Sequence, residues 1–418
     1  LNHEMCGTII EVAFHDVAAD AEIMRDPRAR DYSGRASYHA IVKFLNSKSG
    51  GAIPLALLPD PPTHVRAMNN ADGTITVSWM TPTVDGVGGD AATGYVVYRS
   101  ENGFAFGQPV EVAGGGTISL VVTGLAPGKE YYFQVSATNA GGESMPTETV
   151  GARAGYSPSR VLIVNGFDRF DSSLSPMTTV AANIGSYGGG GGTFGLLRPF
   201  RMNSFSYVFQ HGRAVKQADR YFDSCGNEAV KESLVTLSDY DTVVWICGEE
   251  STADSTFDIA EQAMVQTFLS AGGTLFASGG EIGWDLDQAN KGRDFYRNIL
   301  KTTYEGNDAE TFQAAGVNWT LFHGIPTFDF SEAAGAPYNA DFPDQISPLD
   351  PARACFSYAG GKGGTAGIMA DTGIYKVIVL GFPFECITDS DVRGEIMKRA
   401  LDFFGVPIPL NPSVWILY

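Results

Sequence analysis

A single carboxylate, Glu11, stands inside the short apolar run Thr8-Ile-Ile-Glu-Val-Ala-Phe-His-Asp16. The β-branched and apolar residues of this run predict a strand. A carboxylate at the end of an apolar strand can act as a general base, or as an electrostatic stabiliser beside a metal-bound water. A salt-bridged strand residue would show the same pattern, so the residues alone leave both interpretations of Glu11 open.

A second set of acidic residues follows the apolar strands of the C-terminal half. The segments 241–247, 274–278 and 375–381 predict buried strands, as does 160–165, which ends at Asn165 and is followed by Asp168. The acidic set is Glu249, Glu250, Glu281, Asp285 and Glu385. Because α/β sheets bind ligands at the carboxyl ends of their strands, we expect a ligand or ion site there. Calcium is the candidate ion, near Glu250, Glu281 and Glu385, and a purely structural acidic cluster is the alternative.

The elements that must position these residues fall into four segments. Residues 1–50 end in a helix with an apolar face. Residues 58–155 hold short alternating strands between Gly, Asn and Asp turns, which is typical of a β-sandwich. Residues 159–408 alternate apolar strands with amphipathic helices, which predicts a mostly parallel sheet covered on both faces. Residues 409–418 form an apolar, Pro-rich and therefore extended tail. The apolar face of the first helix comprises Ala36, Ala40, Ile41, Phe44 and Leu45.

Composition excludes several classes of partner. The 418 residues carry 28 Lys+Arg against 47 Asp+Glu, a net charge of −19, so a nucleic-acid or anionic-membrane partner is not expected. The sequence has no apolar run of the roughly 18 residues that a membrane span needs. The five cysteines show no CxxC spacing, which argues against zinc-cluster and thioredoxin-type sites. Cys247 is expected to be a buried thiol.

The middle segment resembles a fibronectin type III domain over its whole length. Trp79 ends the strand Thr74–Trp79 and is expected to fill the space between two sheets. The segment Gly124-Leu-Ala-Pro-Gly-Lys-Glu-Tyr131 precedes an alternating strand, and Tyr131 matches the tyrosine-corner position. Such modules serve mostly as spacers or docking surfaces, and we expect a spacer here.

The N-terminal segment resembles the C-terminal end of zinc-dependent N-acetylmuramoyl-L-alanine amidases, which cleave peptidoglycan. The resemblance covers residues 1–46: Leu1-Asn-His-Glu-Met5, Thr8–Asp16 and Ile23-Met-Arg-Asp-Pro27 carry it. It implies that Glu11 is the catalytic glutamate. The zinc ligands of the family, two histidines and a glutamate, are expected upstream of this segment, and Val17 stands where many relatives have Asn. We therefore predict no competent zinc site in this chain and no activity for it in isolation.

The α/β segment resembles the class I glutamine-amidotransferase-like fold, in the form found in xanthan-lyase-like proteins. The motifs Trp245-Ile-Cys-Gly-Glu-Glu250, Ser278-Gly-Gly-Glu-Ile-Gly-Trp-Asp285 and Gly381-Phe-Pro-Phe-Glu385 carry this resemblance. Glu281 stands where the nucleophilic cysteine of the fold would be, and no histidine accompanies Glu385 in the sequence. Without a thiolate and a base, amidotransferase chemistry is excluded.

Together these patterns predict a multidomain chain: an α/β amidase remnant, a fibronectin type III sandwich and a flavodoxin- or amidotransferase-like α/β accessory domain. The leading hypothesis is the C-terminal portion of a secreted bacterial amidase-like protein that acts on peptidoglycan or another extracellular polysaccharide. The alternative is a non-enzymatic extracellular structural or adhesive protein at the cell surface, which forms homo-oligomers through its apolar tail.

Overall fold

The computed structural model describes residues 9–14, 17–84, 88–175, 177–180, 192–195 and 199–409. The tail predicted over 409–418 lies outside this part of the chain except for its first residue. So do His15 and Asp16. No helix in the described ranges is long and apolar enough to cross a bilayer.

Two helices form the N-terminal hairpin. They are α1 (Ala18–Arg25) and α2 (Pro27–Lys48). Asp26 caps α2 by accepting a hydrogen bond from the Arg28 backbone, and Pro27 takes the first helical position, where its missing N–H costs nothing. The prediction of a strand around Glu11 is wrong for residues 9–14, which are exposed and do not form a strand. A local apolar run alone does not make a strand, because strand formation depends on the tertiary context.

Eight short strands build the β-sandwich. They are β1 (Thr63–Asn69), β2 (Ile75–Met80), β3 (Gly94–Ser100), β4 (Gly107–Ala113), β5 (Ser119–Val122), β6 (Glu130–Asn139), β7 (Gly142–Glu143) and β8 (Val150–Arg153). One sheet has the order β1-β2-β5, and in the other β6 pairs with β3, β7 and β8. Trp79 is fully buried against Tyr95, with ring centroids 5.1 Å apart, as predicted. The Tyr131 hydroxyl accepts a hydrogen bond from the backbone N–H of Ala126 at 2.9 Å, which confirms the tyrosine corner.

The α/β domain contains the remaining elements. They are β9 (Val161–Asn165), β10 (Met177–Val180), β11 (Gly192–Gly195), α3 (Pro199–Met202), α4 (Val208–Gln217), β12 (Phe222–Gly226), α5 (Asn227–Lys231), β13 (Thr242–Gly248), α6 (Ile259–Ser270), β14 (Thr274–Gly279), β15 (Thr302–Gly306), β16 (Gln313–Gly316), β17 (Phe328–Asp329), β18 (Gln345–Pro348), β19 (Arg353–Tyr358), β20 (Thr365–Asp371), β21 (Lys376–Leu380) and α7 (Ser390–Phe404). A capping box begins α6: the Asp258 side chain accepts from the Glu261 backbone, and the Glu261 side chain accepts from the Asp258 backbone.

Five parallel strands form the centre of this domain, in the order β12-β9-β13-β14-β21. In chain order this is 2-1-3-4-5, the order of flavodoxin-type doubly wound sheets. Beyond β21 the sheet continues through antiparallel strands, starting with β20 and β19. The strands β9, β13 and β14 are buried along their whole length, which explains their near-continuous apolar sequences.

The sandwich and the α/β domain share one sheet. Strand β1 pairs antiparallel with β12 through Arg66 opposite Cys225 and Ala67 opposite Ser224. The Ser224 hydroxyl also donates to the backbone oxygen of Gly151 in β8 at 2.7 Å. The β-sandwich, which was expected to be a spacer, therefore continues the sheet of the α/β domain beyond its strand β12.

Buried side chains cross the same junction. Asp223 accepts hydrogen bonds from the Asn69 backbone and from the hydroxyls of Ser159 and Tyr240, at 2.8, 2.8 and 2.9 Å. Tyr132 of β6 is fully buried and packs edge-on against Phe209 of α4, with ring centroids 5.3 Å apart. One apolar core thus includes residues of both domains.

Candidate functional site at the carboxyl edge of the sheet

Acidic or amide side chains follow all five parallel strands at their carboxyl ends. Asn165 ends β9, Asn227 and Glu228 begin α5 after β12, and Glu249 and Glu250 follow β13. Glu281 follows β14, and Glu385 lies in a single turn of helix after β21. The predicted residues therefore lie at the carboxyl ends of the parallel strands, but Glu250, Asp285 and Glu385 each have different hydrogen-bond partners.

Glu250 is tied to the loop that follows β9. Its Oε1 accepts hydrogen bonds from the backbone N–H of Asp168, at 2.8 Å, and of Arg169. Burial, with the neighbouring Asp168 charge, raises the pKa of Glu250 to about 10. A carboxyl group that keeps its proton at neutral pH is suited to holding this loop in place.

Glu249 and Glu281 lie near each other at the ends of β13 and β14. A Cβ on Gly280 would stand only 3.0 Å from Oε1 of Glu249, so the Glu249 carboxyl group lies directly over this glycine. Burial raises the pKa of Glu249 well above its ordinary value, and Glu281 and Asp341 raise it further. Burial likewise raises the pKa of Glu281, which accepts a hydrogen bond from Ser251. Two nearby carboxyl groups in a poorly solvated place favour their neutral forms.

Thr256 and Lys291 hold the carboxylate of Asp285 in place. Its Oδ2 accepts hydrogen bonds from the backbone N–H and the hydroxyl of Thr256, at 2.9 and 3.0 Å. The ammonium group of Lys291 lies 3.8 Å from the other oxygen. These contacts attach the helical turn 284–288 to the loop after β13.

Glu385 forms a buried polar group that sequence reasoning missed. The Tyr338 hydroxyl donates to Oε1 of Glu385 at 2.6 Å, and Nε2 of His211 lies 3.8 Å from Oε2. Burial raises the pKa of Glu385 to about 7 and lowers that of His211 to about 4. The histidine beside Glu385 therefore comes from α4, far away in the chain. No local pattern could have indicated this pairing.

The described residues contain no group of three histidine, cysteine or acidic side chains arranged to hold a metal ion. Of the histidines among them, His39 lies in α2, His64 in β1, His211 in α4 and His323 in a turn. They do not fit the two-histidine, one-glutamate zinc set that the amidase resemblance implies. Calcium at Glu250, Glu281 and Glu385 stays a prediction, although Glu250 and Glu385 are engaged by separate partners.

Buried thiols also lie within the sheet and next to it. Cys225, Cys247, Cys355 and Cys386 are free and buried, which confirms the prediction for Cys247. Burial raises the pKa of the Cys386 thiol, next to Glu385, far above its ordinary value. A buried, protonated thiol is a poor nucleophile, so this edge lacks the activated cysteine of amidotransferase chemistry.

Glu11 is exposed, in the segment 9–14, whereas Glu249, Glu250 and Glu385 are buried. In this segment the Phe14 backbone donates to Asp20 at 2.9 Å, which connects the segment to α1.

Comparison with known proteins identifies the sandwich. The family model described as fibronectin type III domain matches residues 60–153, within the predicted range 58–155. Residues 60–153 are a fibronectin type III domain. The tyrosine corner and the buried Trp79 agree with this assignment.

Solved structures similar to the chain include other fibronectin domains. The FN1–FN3 domains of chicken CNTN1 are 24% identical, with 24% of this chain and 33% of that chain covered and a TM-score of 0.21. The twitchin kinase region from C. elegans is 27% identical, with 24% and 17% covered and a TM-score of 0.21. The FN5 domain of Drosophila Lar is 25% identical, with 23% and 98% covered and a TM-score of 0.19. The matched part of this chain is about the size of its fibronectin domain.

Proposed function

We propose that this chain is the C-terminal portion of a secreted bacterial N-acetylmuramoyl-L-alanine amidase-like protein. In this proposal Glu11 is a catalytic residue, upstream residues bind the zinc, and peptidoglycan is the substrate. The fibronectin domain and the amidotransferase-like α/β domain form one accessory unit that binds the cell wall or another extracellular polysaccharide.

The observation that carries the proposal is that the apolar face of α2 is exposed to solvent. Ala36, Ala40, Ile41, Phe44 and Leu45 form the predicted stripe, and all five are exposed. Ile41, Phe44 and Leu45 keep 54, 42 and 41% of their surface accessible. An exposed apolar stripe of this kind marks an interaction surface, and its helical spacing is that of a helix covered by a protein core.

The opposite side of α2 is the side that contacts the accessory unit. Arg35 forms an ion pair with Asp60 at 2.5 Å, and Tyr38 and His39 line a cavity shared with Leu58 and Pro59. The hairpin is therefore held by its polar side, and its apolar side is left available for a further part of an amidase-like domain.

The hairpin also contacts the α/β domain. The Arg25 guanidinium donates to the backbone oxygen of Ser172 at 3.1 Å, in the loop that follows β9. The hydrogen bond and ion pair with Asp26 raise the pKa of Arg28, and the charges of Asp171 and Asp254 on the α/β domain raise it further. In the proposal, this contact holds the amidase-like part close to the carboxyl ends of the parallel strands of the accessory domain.

Replacing Glu11 by glutamine tests the proposal. In the protein expressed with the upstream sequence of its native gene, we expect Glu11→Gln to lower muropeptide hydrolysis by about 10²- to 10⁴-fold, since a general base is lost. The release of the stem peptide, followed by mass spectrometry, measures this rate. Bound zinc, measured in both proteins, should be unchanged because Glu11 is not a zinc ligand in the proposal.

Glu111→Gln provides the matched control, since Glu111 is exposed on β4 and the chemical change is the same. It should leave hydrolysis unchanged. Full activity of Glu11→Gln, or a native protein that cleaves no muropeptide, would contradict the proposal. Assembly of that inactive protein into regular oligomers would favour the structural alternative.

A further inference from the structure

A cleft of about 240 Å³ lies where the fibronectin domain meets the carboxyl edge of the α/β domain. Residues 61–65 and 146–148 form its fibronectin side. The α/β side comes from Asn165, Asp168, Phe205, Asn227 and Glu228. This interdomain cleft shares no residue with the predicted acidic set or with the N-terminal hairpin.

Carboxyl groups from both domains converge in the interdomain cleft. A Cβ on Gly226 would lie 2.2 Å from Oε1 of Glu148 and 2.7 Å from Oε2 of Glu228, so the two groups meet over this glycine. Asp168 adds a third carboxyl group, and His64 is the one basic side chain among the described lining residues. Lys231 is held elsewhere, 2.8 Å from Asp258. The lining therefore favours a cation.

Asn165 supplies an independent indication of a ligand. The residue is only 3% exposed, and its Nδ2 donates to Oε2 of Glu148 at 2.5 Å. Its Oδ1 is buried and accepts no hydrogen bond from any residue in the described part of the chain. Because a buried acceptor without a donor is costly, a hydrogen-bond donor inside the cleft would stabilise this arrangement.

The electrostatics of the cleft agree with a cationic donor. Burial raises the pKa of Glu148 well above its ordinary value, and the charge of Glu228 raises it further. Two carboxyl groups in such contact share a proton unless a cation lies between them. A cation that also donates hydrogen bonds would neutralise the charge of Glu148 and Glu228, and it could donate to Oδ1 of Asn165 as well.

The cleft is larger than an ion or a single water, whose share of liquid volume is roughly 30 Å³. Pro62, Pro146 and Phe205 form apolar parts of its lining, suited to carbon atoms. We propose that the interdomain cleft binds the primary ammonium group of a small organic molecule, which donates to Glu148, Glu228 and Oδ1 of Asn165. An amino sugar and the side chain of a basic amino acid share this chemistry. The proposal is independent of the amidase-like function, since none of its residues lies in the N-terminal hairpin.

Titration calorimetry on the 418-residue chain at pH 7 tests the proposal, with glucosamine and Nα-acetyl-L-lysine as probes. We expect at least one to bind with 1:1 stoichiometry, and the tighter one identifies the source of the ammonium group. N-Acetylglucosamine and Nα,Nε-diacetyl-L-lysine, which lack the charge, should not bind. Binding of neither amine, equal binding of the acetylated compounds, or tight calcium binding that excludes the amines would overturn the proposal.

Two isosteric variants locate the site. Glu228→Gln and Glu148→Gln should each weaken the amine about tenfold or more, because each removes one charged acceptor. Glu232→Gln makes the same change at an exposed position just after α5 and should leave affinity unchanged. Thermal unfolding of each variant establishes that it is folded, and two separate variants keep the test valid if one is unstable. Unchanged affinity in both folded variants would refute the assignment.

Discussion

Replacing Tyr132 by alanine is expected to lower the free energy of unfolding by about 3–5 kcal/mol, the range for buried aromatic residues. Tyr132 belongs to the fibronectin domain but is buried against Phe209 and Phe222 of the α/β domain. Its hydroxyl also donates to the Phe209 backbone oxygen at 3.3 Å. The cavity would therefore open between the domains, and both should lose stability together. Urea unfolding gives the energy, and hydrogen exchange of peptides from β2 and β13 shows whether the loss is shared.

Tyr32→Ala is the matched control, because this tyrosine of α2 keeps 60% of its surface exposed. A surface change of this kind should stay within about 0.5 kcal/mol of the parent. Faster exchange in β2 with unchanged exchange in β13 would mean that the fibronectin domain unfolds independently. The shared sheet through β1 and β12 would then contribute little to stability.

The free energy of unfolding should also fall by about 2 kcal/mol or more between pH 7 and pH 8.5. In the folded chain Glu250, with a pKa of about 10, keeps its proton in this range. In the unfolded chain its carboxyl group is ionised, since a free glutamate has a pKa near 4.3. The folded state therefore binds more protons, and raising the pH favours unfolding. His211, with a pKa of about 4, is neutral in both states over most of this range.

Urea denaturation at four or five pH values measures this slope. Glu250→Gln should flatten it by about 1.4 kcal/mol per pH unit, since glutamine resembles the protonated acid and has nothing to titrate. The amide oxygen can still accept from the Asp168 and Arg169 backbones. Glu232→Gln, at an exposed position, should leave the slope unchanged. Equal slopes in the parent and in Glu250→Gln would show that Glu250 is ionised in the folded protein.

Much of the architecture was predictable because it depends on residues that are neighbours in the chain. The strand that ends at Trp79 and the Tyr131 corner were each predicted from a few consecutive residues. The apolar runs of β9, β13 and β14 predicted buried parallel strands, and their carboxyl ends predicted where acidic residues would gather. The strand around Glu11 was predicted by the same logic, and the prediction was wrong for residues 9–14 because strand formation depends on the tertiary context.

The sequence by itself determined the fibronectin sandwich, the parallel sheet and the edge that carries the acidic residues, since caps, turns and periodicity act over short distances. Only the tertiary structure decided which groups meet. It placed His211 beside Glu385, joined β1 to β12, and turned the apolar stripe of α2 outward. It also brought Glu148 of one domain to Glu228 of the other. These contacts join residues far apart in the chain, and their energies depend on burial and packing that no local pattern contains.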